Sequence, residues 1–219
     1  MEYKITALKA QKRDPNRVNV YLNDKFAFGV ARIVAAWLRV GQLIDDKKID
    51  ELKSQDEYEK AFQKAVQYLS YRPRTEQEVR KKLTDQEFPE ELINAVLERL
   101  NKLDLVCDEN YARFWIENRS EFRPRSHRLL SLELIRKGVS SETIDEALED
   151  AEDEESLAYK AAMKYVHRLE GLDWNDFRKK LSGFLGRRGF AYNIIAPVVR
   201  QVWEETRSVE SISLNGRRG

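Results

Sequence analysis

Apolar residues of this chain recur at a fixed offset of 51 positions, three times over. Leu83, Leu134 and Leu185 stand one offset apart, as do Phe88, Val139 and Phe190. Ile93, Ile144 and Ile195 follow, then Val96, Ala147 and Val198, then Leu97, Leu148 and Val199. Recurrence in step over three copies implies one supersecondary unit laid down three times, each copy using its neighbour to close its core. Such an array offers a long surface rather than a single pocket. It therefore favours a binder of something extended over an enzyme.

Composition supports a thin, mostly helical molecule: 35% of the 219 residues are charged and 42% are hydrophobic. Formal net charge is +1, so no global field drives the chain onto nucleic acid or membrane, and electrostatic recognition must come from local patches. The single cysteine, Cys107, excludes an intrachain disulfide and a multi-thiolate metal site, and reads as a small core-facing residue. Charges interrupt every early apolar run, and no apolar stretch approaches the roughly 18 residues a membrane span needs. A cytoplasmic protein, monomeric and without membrane attachment, is expected.

Residues 1–54 differ from the rest. Val18, Val20 and Leu22 alternate with polar or aromatic neighbours, Asn23-Asp24-Lys25 forms a turn, and Phe26, Phe28 and Val30 alternate again. Two period-2 runs around an Asn-Asp turn predict a β-hairpin, with Tyr3, Ile5 and Ala7 as a third strand. Short helices are expected over 31–38 and 45–52. From Ser54, spaced three before Glu57 like a capping box, the pattern is continuously helical. Three-helix repeats are then placed at 55–107, 108–152 and 153–207, and a polar, disordered tail at 208–219. Thr75 with Glu78, Ser126, Ser140 or Ser141, and Asp173 with Asp176 are candidate helix starts; Gly138 and Gly189 are candidate stops. The fold class expected is mainly α: three tandem three-helix repeats in an elongated curved array, with a small N-terminal β-hairpin or sheet extension.

Two turns place Arg-Pro-Arg before a helix start, at Arg72-Pro73-Arg74-Thr75 and Arg123-Pro124-Arg125-Ser126. Proline fixes the turn and the hydroxyl caps, while the arginines either pair with nearby acids or, held near a helix N-terminus, receive an anion. Charge is also uneven. Arg119 to Lys137 carries six basic residues, including Arg123, Arg125 and Arg128, against two acids; Arg178 to Arg188 adds Arg178, Lys179, Lys180, Arg187 and Arg188 with no acid. Glu142 to Glu155 holds nine acids and no base. Like-charge runs are usually solvated faces, yet stacked repeats can align these basic segments into a stripe suited to phosphates or an acidic protein groove. The aromatics, among them Tyr111, Phe114, Trp115, Tyr159, Tyr165, Trp174, Phe184, Tyr192 and Trp203, are expected in the core. No phosphate loop, dinucleotide fingerprint or metal spacing is present, and His127 and His167 stand alone; a phosphate contact at His127 is conceivable, a plain surface position the simpler reading. Neither a catalytic residue, a cofactor nor a metal is expected.

Four stretches taken together resemble the RecX family of recombinase regulators. They run from Tyr68 through Arg72-Pro73-Arg74-Thr75 to Leu83, from Asp108 to Trp115, from Leu132 to Val139, and from Lys179 to Phe190. The resemblance implies a non-enzymatic regulator that lies along the helical groove of the RecA–DNA filament and suppresses RecA ATPase, strand exchange and coprotease activity. On that reading the partner is the RecA filament, with weak single- or double-stranded DNA binding alongside. The contacting residues are Arg72, Arg74, Arg123, Arg125, Arg128, Lys179, Lys180, Arg187 and Arg188. Reversing charge at Arg123 and Arg125 together is expected to weaken binding and leave the fold intact. Two alternatives stay open: a direct DNA binder of the helix-turn-helix sort, and a scaffold for another protein.

Overall fold

The computed structural model describes the backbone of residues 1–215 and the side chains of residues 1–207. It divides into two compact units, Met1–Val106 and the chain from Cys107 onward. In the expected tail, the backbone of 208–215 belongs to the last helix, and 216–219 lie outside the described residues.

The first unit opens with β1 (Glu2–Ala10), β2 (Arg17–Leu22) and β3 (Lys25–Ala31). Asn23 and Asp24 link β2 to β3 with φ of 48° and 64°, the paired left-handed conformation of a two-residue hairpin turn. Asn23 Oδ1 accepts from the Lys4 amide at 3.0 Å, and Thr6 Oγ1 accepts from the Asp24 amide at 2.9 Å, fastening the turn to β1. A fourth strand, β4 (Leu43–Asp45), pairs with the start of β1 and completes an antiparallel sheet of order β3-β2-β1-β4. Three residues between a glycine and a helix start carry no readable period, so this strand has no sequence signature of its own. One sheet face is buried: Ile5, Val20, Leu22, Phe28, Val30 and Ile44 pack on Ala35, Leu38 and Leu52. Ala35 belongs to the one-turn helix α1 (Arg32–Ala35).

A single helix, α2 (Asp46–Leu69), replaces the two helices expected over 45–69. Asp45 is its N-cap, accepting from the Lys48 amide at 2.8 Å, while Ser54 lies exposed in mid-helix and caps nothing. Lysine and glutamate on both sides of Ser54 sustain the helix, and the two apolar stripes serve different cores. Leu52 packs on the sheet; Tyr58, Ala61, Phe62 and Ala65 pack on the helices that follow. The boundary drawn after residue 54 thus falls inside a helix, between those two stripes. Asp56, 3% exposed, ties the helix to the sheet. It accepts from both Arg17 nitrogens at 3.1 and 3.0 Å and from the Ala31 amide at 2.7 Å, with Lys60 Nζ at 2.7 Å.

Three helical cores follow. α2 packs with α3 (Glu76–Thr84) and α4 (Glu90–Lys102). In the second unit, α5 (Asp108–Phe122), α6 (His127–Ile135) and α7 (Ser141–Glu149) share one core. Another is built from α8 (Glu154–Val166), α9 (Trp174–Arg187) and α10 (Tyr192–Asn215). All fifteen residues of the 51-residue register are buried or packed against one of these cores. Each core is a separate cluster closed by its own three helices, which corrects the expectation that every copy borrows its neighbour. One device ends the first short helix of each copy. The amides of Phe88, Val139 and Phe190 reach back to the carbonyls of Leu83, Leu134 and Leu185 at 3.2–3.3 Å, the long bond of a Schellman cap. The left-handed residue this needs is Gly138 (φ 86°) and Gly189 (φ 90°) in two copies, and Glu87 (φ 62°) in the first.

Most named aromatics join these cores, Tyr111 fully and Trp115, Tyr159, Tyr165, Trp174, Phe184 and Trp203 in part. Phe114 and Tyr192 are exceptions, exposed on α5 and α10. Pro197 sits inside α10, where the helix must do without one backbone donor.

Candidate functional site

Each Arg-Pro-Arg turn is organised around one glutamate. In the first unit Thr75 caps α3 and Glu78 completes the capping box. Glu78 also draws in both arginines, Arg72 Nη2 at 2.8 Å and Arg74 Nη1 at 3.6 Å from Oε1. Arg74 lies over the Tyr68 ring at 4.1 Å with its side chain only 14% exposed, whereas Arg72 is 44% exposed. Of this pair, Arg72 is the more exposed, and Arg74 braces the turn.

In the second unit the organising acid is Glu133 of α6. It binds Arg125 through Oε1, and through Oε2 it accepts from Trp115 Nε1 at 2.9 Å and Arg119 Nε at 3.0 Å. Arg125 is therefore a half-buried structural cation. Charge reversal there would set a carboxylate against Glu133, so the expectation that reversing Arg123 and Arg125 spares the fold is corrected. Arg123, at the C-cap of α5, is exposed.

Arg188 arrives at the same turn from the end of α9. Its Nη1 donates to the Pro124 carbonyl at 2.9 Å, its own carbonyl accepts from the Ser126 amide at 3.0 Å, and its guanidinium lies 4.5 Å from the Phe184 ring. Burial pushes the Arg188 guanidinium below its ordinary value, and the nearby charges of Arg125 and Arg123 push the same way. It stays a cation. Three guanidiniums thus gather at one turn beside the N-terminus of α6, and Glu133 answers one of them. A concentration of like charge of this kind is stabilised by an incoming anion.

Arg128, Lys180 and Arg187 are exposed. Lys179 lines an open groove on α9 and α10 together with Arg178, Arg200, Trp174 and Tyr192. Arg72 and Arg74 belong to the first unit and are described with it.

His127 is not a free surface residue. Its backbone amide donates to Glu154 at 2.7 Å and its Nε2 lies 2.9 Å from the Glu152 carbonyl. Part of the acidic run is spent inside the molecule in the same way: Asp153 caps α8, and Glu152 pairs with Lys160 at 2.7 Å. Cys107 is the N-cap of α5, its sulfur accepting from the Asn110 amide at 3.5 Å rather than facing a core. That amide favours the thiolate, but burial and the Glu109 carboxylate outweigh it and hold the thiol above its usual range. Among the described residues no cluster of histidine, cysteine, aspartate and glutamate could hold a metal ion, and no helix is long and apolar enough to cross a membrane.

Sequence reasoning missed Glu133, Glu78 as an arginine anchor, and the role of Arg188 in joining the second and third copies. Glu78 was visible as a capping residue and Arg188 as part of a basic run; nothing local marks Glu133 or the approach of Arg188 to the second turn.

Comparison with known proteins assigns the architecture. The description "Regulatory protein RecX N-terminal domain" matches residues 3–45, and the first, second and third three-helix domains of RecX match residues 61–100, 108–148 and 152–199. The chain belongs to the RecX family. A "Regulatory protein RecX" of Clostridium perfringens (strain SM101 / Type A) is 34% identical, with 91% of this chain and 96% of that protein covered. A namesake in Bacillus subtilis (strain 168) is 30% identical over 96% of this chain and 81% of its own. A crystal structure of regulatory protein RecX superposes with a TM-score of 0.72 at 31% identity, covering 88% of this chain and 96% of the other. RecX from Lactobacillus salivarius gives 0.60 at 27% identity, covering 67% and 97%. The match of four successive RecX domains spans both the sheet and the helical units, including the N-terminal region that the four resembling motifs leave out.

Proposed function

We propose that the chain binds the RecA–DNA filament in its helical groove and lowers RecA ATPase, strand exchange and coprotease activity. It acts by occupancy, as a cytoplasmic monomer that turns nothing over and needs no cofactor. The observation that carries this reading is the gathering of Arg123, Arg125 and Arg188 at one turn where, among the described residues, Glu133 is the one carboxylate that pairs with any of them. That cluster takes acidic side chains of the filament or phosphates of its DNA, and exposed Arg128, Lys180 and Arg187 extend the basic surface. Near-neutral total charge argues against bare DNA as the main target, because non-specific DNA affinity rises with the number of phosphates neutralised.

The test is RecA ATPase on single-stranded DNA titrated with this protein, expecting a fall at substoichiometric ratios. Arg123→Glu with Arg128→Glu, both at exposed positions, raises the half-inhibitory concentration by about tenfold without changing the melting temperature. An ATPase rate indifferent to the protein overturns the reading. Tight binding to DNA that is the same with and without RecA supports the DNA-binding alternative.

A further inference from the structure

The N-terminal unit exposes a group of side chains that a folded chain normally hides. Trp37 is 87% exposed, Ile33 58% and Val40 62%. They recur at intervals of four and three, and the residues between them, Ala35 and Leu38, are the ones buried against the sheet. Turn bonds from Ala36 to Ile33 and from Leu38 to Ala35 continue the curl of α1, which sets Ile33 and Trp37 on the same outward side. Tucking the indole inward would remove a large apolar area from water. The local backbone instead spends its inward positions on an alanine and a leucine. Large exposed apolar groups of this kind mark interaction surfaces.

Charge around the group narrows the occupant. Arg32 and Arg39 are exposed, and the whole stretch 25–44 contains Lys25, Arg32 and Arg39 with no aspartate or glutamate. A second copy fits poorly, since isologous pairing would set these arginines against their own duplicates. A nucleic-acid strand would use the indole for stacking but leave the aliphatic Ile33 and Val40 unmatched. A lipid surface asks for a longer amphipathic helix than the four residues of α1. An apolar pocket rimmed with carboxylates answers every part: indole and aliphatics are desolvated together, and the arginines meet the rim. Tryptophan and arginine are also the residues over-represented where binding energy concentrates.

We propose that Ile33, Trp37 and Val40, flanked by Arg32 and Arg39, form an anchor that inserts into an apolar, acid-rimmed pocket of the protein partner. The anchor rests on the filament reading above and adds to it a second contact, on the sheet-bearing unit and separate from the arginine cluster. Linked contacts raise affinity together more than either does alone.

Binding of the full chain to RecA filaments on single-stranded DNA tests it, with Trp37→Ala, Trp37→Phe and Arg32→Glu/Arg39→Glu beside the parent. Trp37→Ala weakens binding at least about tenfold, Trp37→Phe restores most of it, and the double arginine variant weakens it and removes part of its salt dependence. All three keep the parent melting temperature. Parent-like filament binding by Trp37→Ala overturns the anchor and leaves the filament reading standing. A parent chain that binds no filament overturns both. A Trp37→Ala defect that appears equally on bare oligonucleotide or on phosphatidylserine vesicles assigns the surface to nucleic acid or lipid and also overturns the proposal.

Discussion

Glu87 occupies a backbone conformation that its counterparts Gly138 and Gly189 adopt without a side-chain penalty. A β-carbon in the left-handed region costs about 1–2 kcal/mol, and Glu87 is exposed with no contact that offsets it. Glu87→Gly is expected to stabilise the protein by about 1 kcal/mol, less the extra entropy of an unfolded glycine, read as a rise in the urea midpoint. Asp56 works in the opposite sense. Burial alone would raise its carboxyl pKa, but Arg17, Lys60 and the Ala31 amide outweigh that and hold it below the usual range. A depressed folded value means the group contributes stability above its unfolded value of about 3.9, and that contribution is lost as pH falls through the folded value. Asp56→Ala leaves Arg17 half-buried and the Ala31 amide without its acceptor, a loss of about 3 kcal/mol at neutral pH. The difference from the parent shrinks in acid, and a gap that stays constant from neutral pH to about pH 2 would contradict this account.

Elements were legible where a side-chain period or a cap is local, and illegible where the determining contact is distant. Thr75, Ser126, Ser140 and Asp173 each cap the helix they were expected to start. Gly138 and Gly189 stop theirs, and the Asn23-Asp24 hairpin stands where alternation placed it. The first copy's stop was missed because Glu87 is the wrong residue type for its conformation, and β4 was missed because pairing with β1 alone defines it. At Ser54 a local signal misled: serine three before glutamate resembles a cap, yet the helix runs through it because Asp45 had already started it. The two readings give opposite signs for one substitution. In an exposed helix interior, Ser54→Ala stabilises by about 0.5 kcal/mol; at an N-cap it would cost about 1 kcal/mol. Thermal melts of the variant and parent decide between them.

At the scale of the whole molecule, the repeat register identified which residues are buried but not how the cores divide. Identical spacing suits a shared core or three closed ones, and only the contacts among Leu83, Leu134, Leu185 and their neighbours show that each copy closes its own. The candidate site was half legible for the same reason. Its arginines follow from the turn motif, while Glu133 and the approach of Arg188 depend on packing between helices distant in sequence. Separate cores within two compact units have a thermodynamic consequence. Residues 1–106 hold the sheet and the first helical core; residues from 107 hold the other two, joined through Ser126, Arg188 and Gly189. Each piece, produced alone, is expected to be helical and to melt in a single cooperative transition, with calorimetric and van't Hoff enthalpies in agreement. Variants then sort by piece. Asp56→Ala lowers the midpoint of 1–106. Gly189→Ala destabilises the other piece by about 2–3 kcal/mol and so lowers its midpoint, because a β-carbon there would lie 2.4 Å from Ser126 Oγ and 2.6 Å from Leu129 Cγ at a φ of +90°. A broad, non-cooperative melt of either piece would mean that its core is completed by the other, and that the closed clusters do not act as independent folding units.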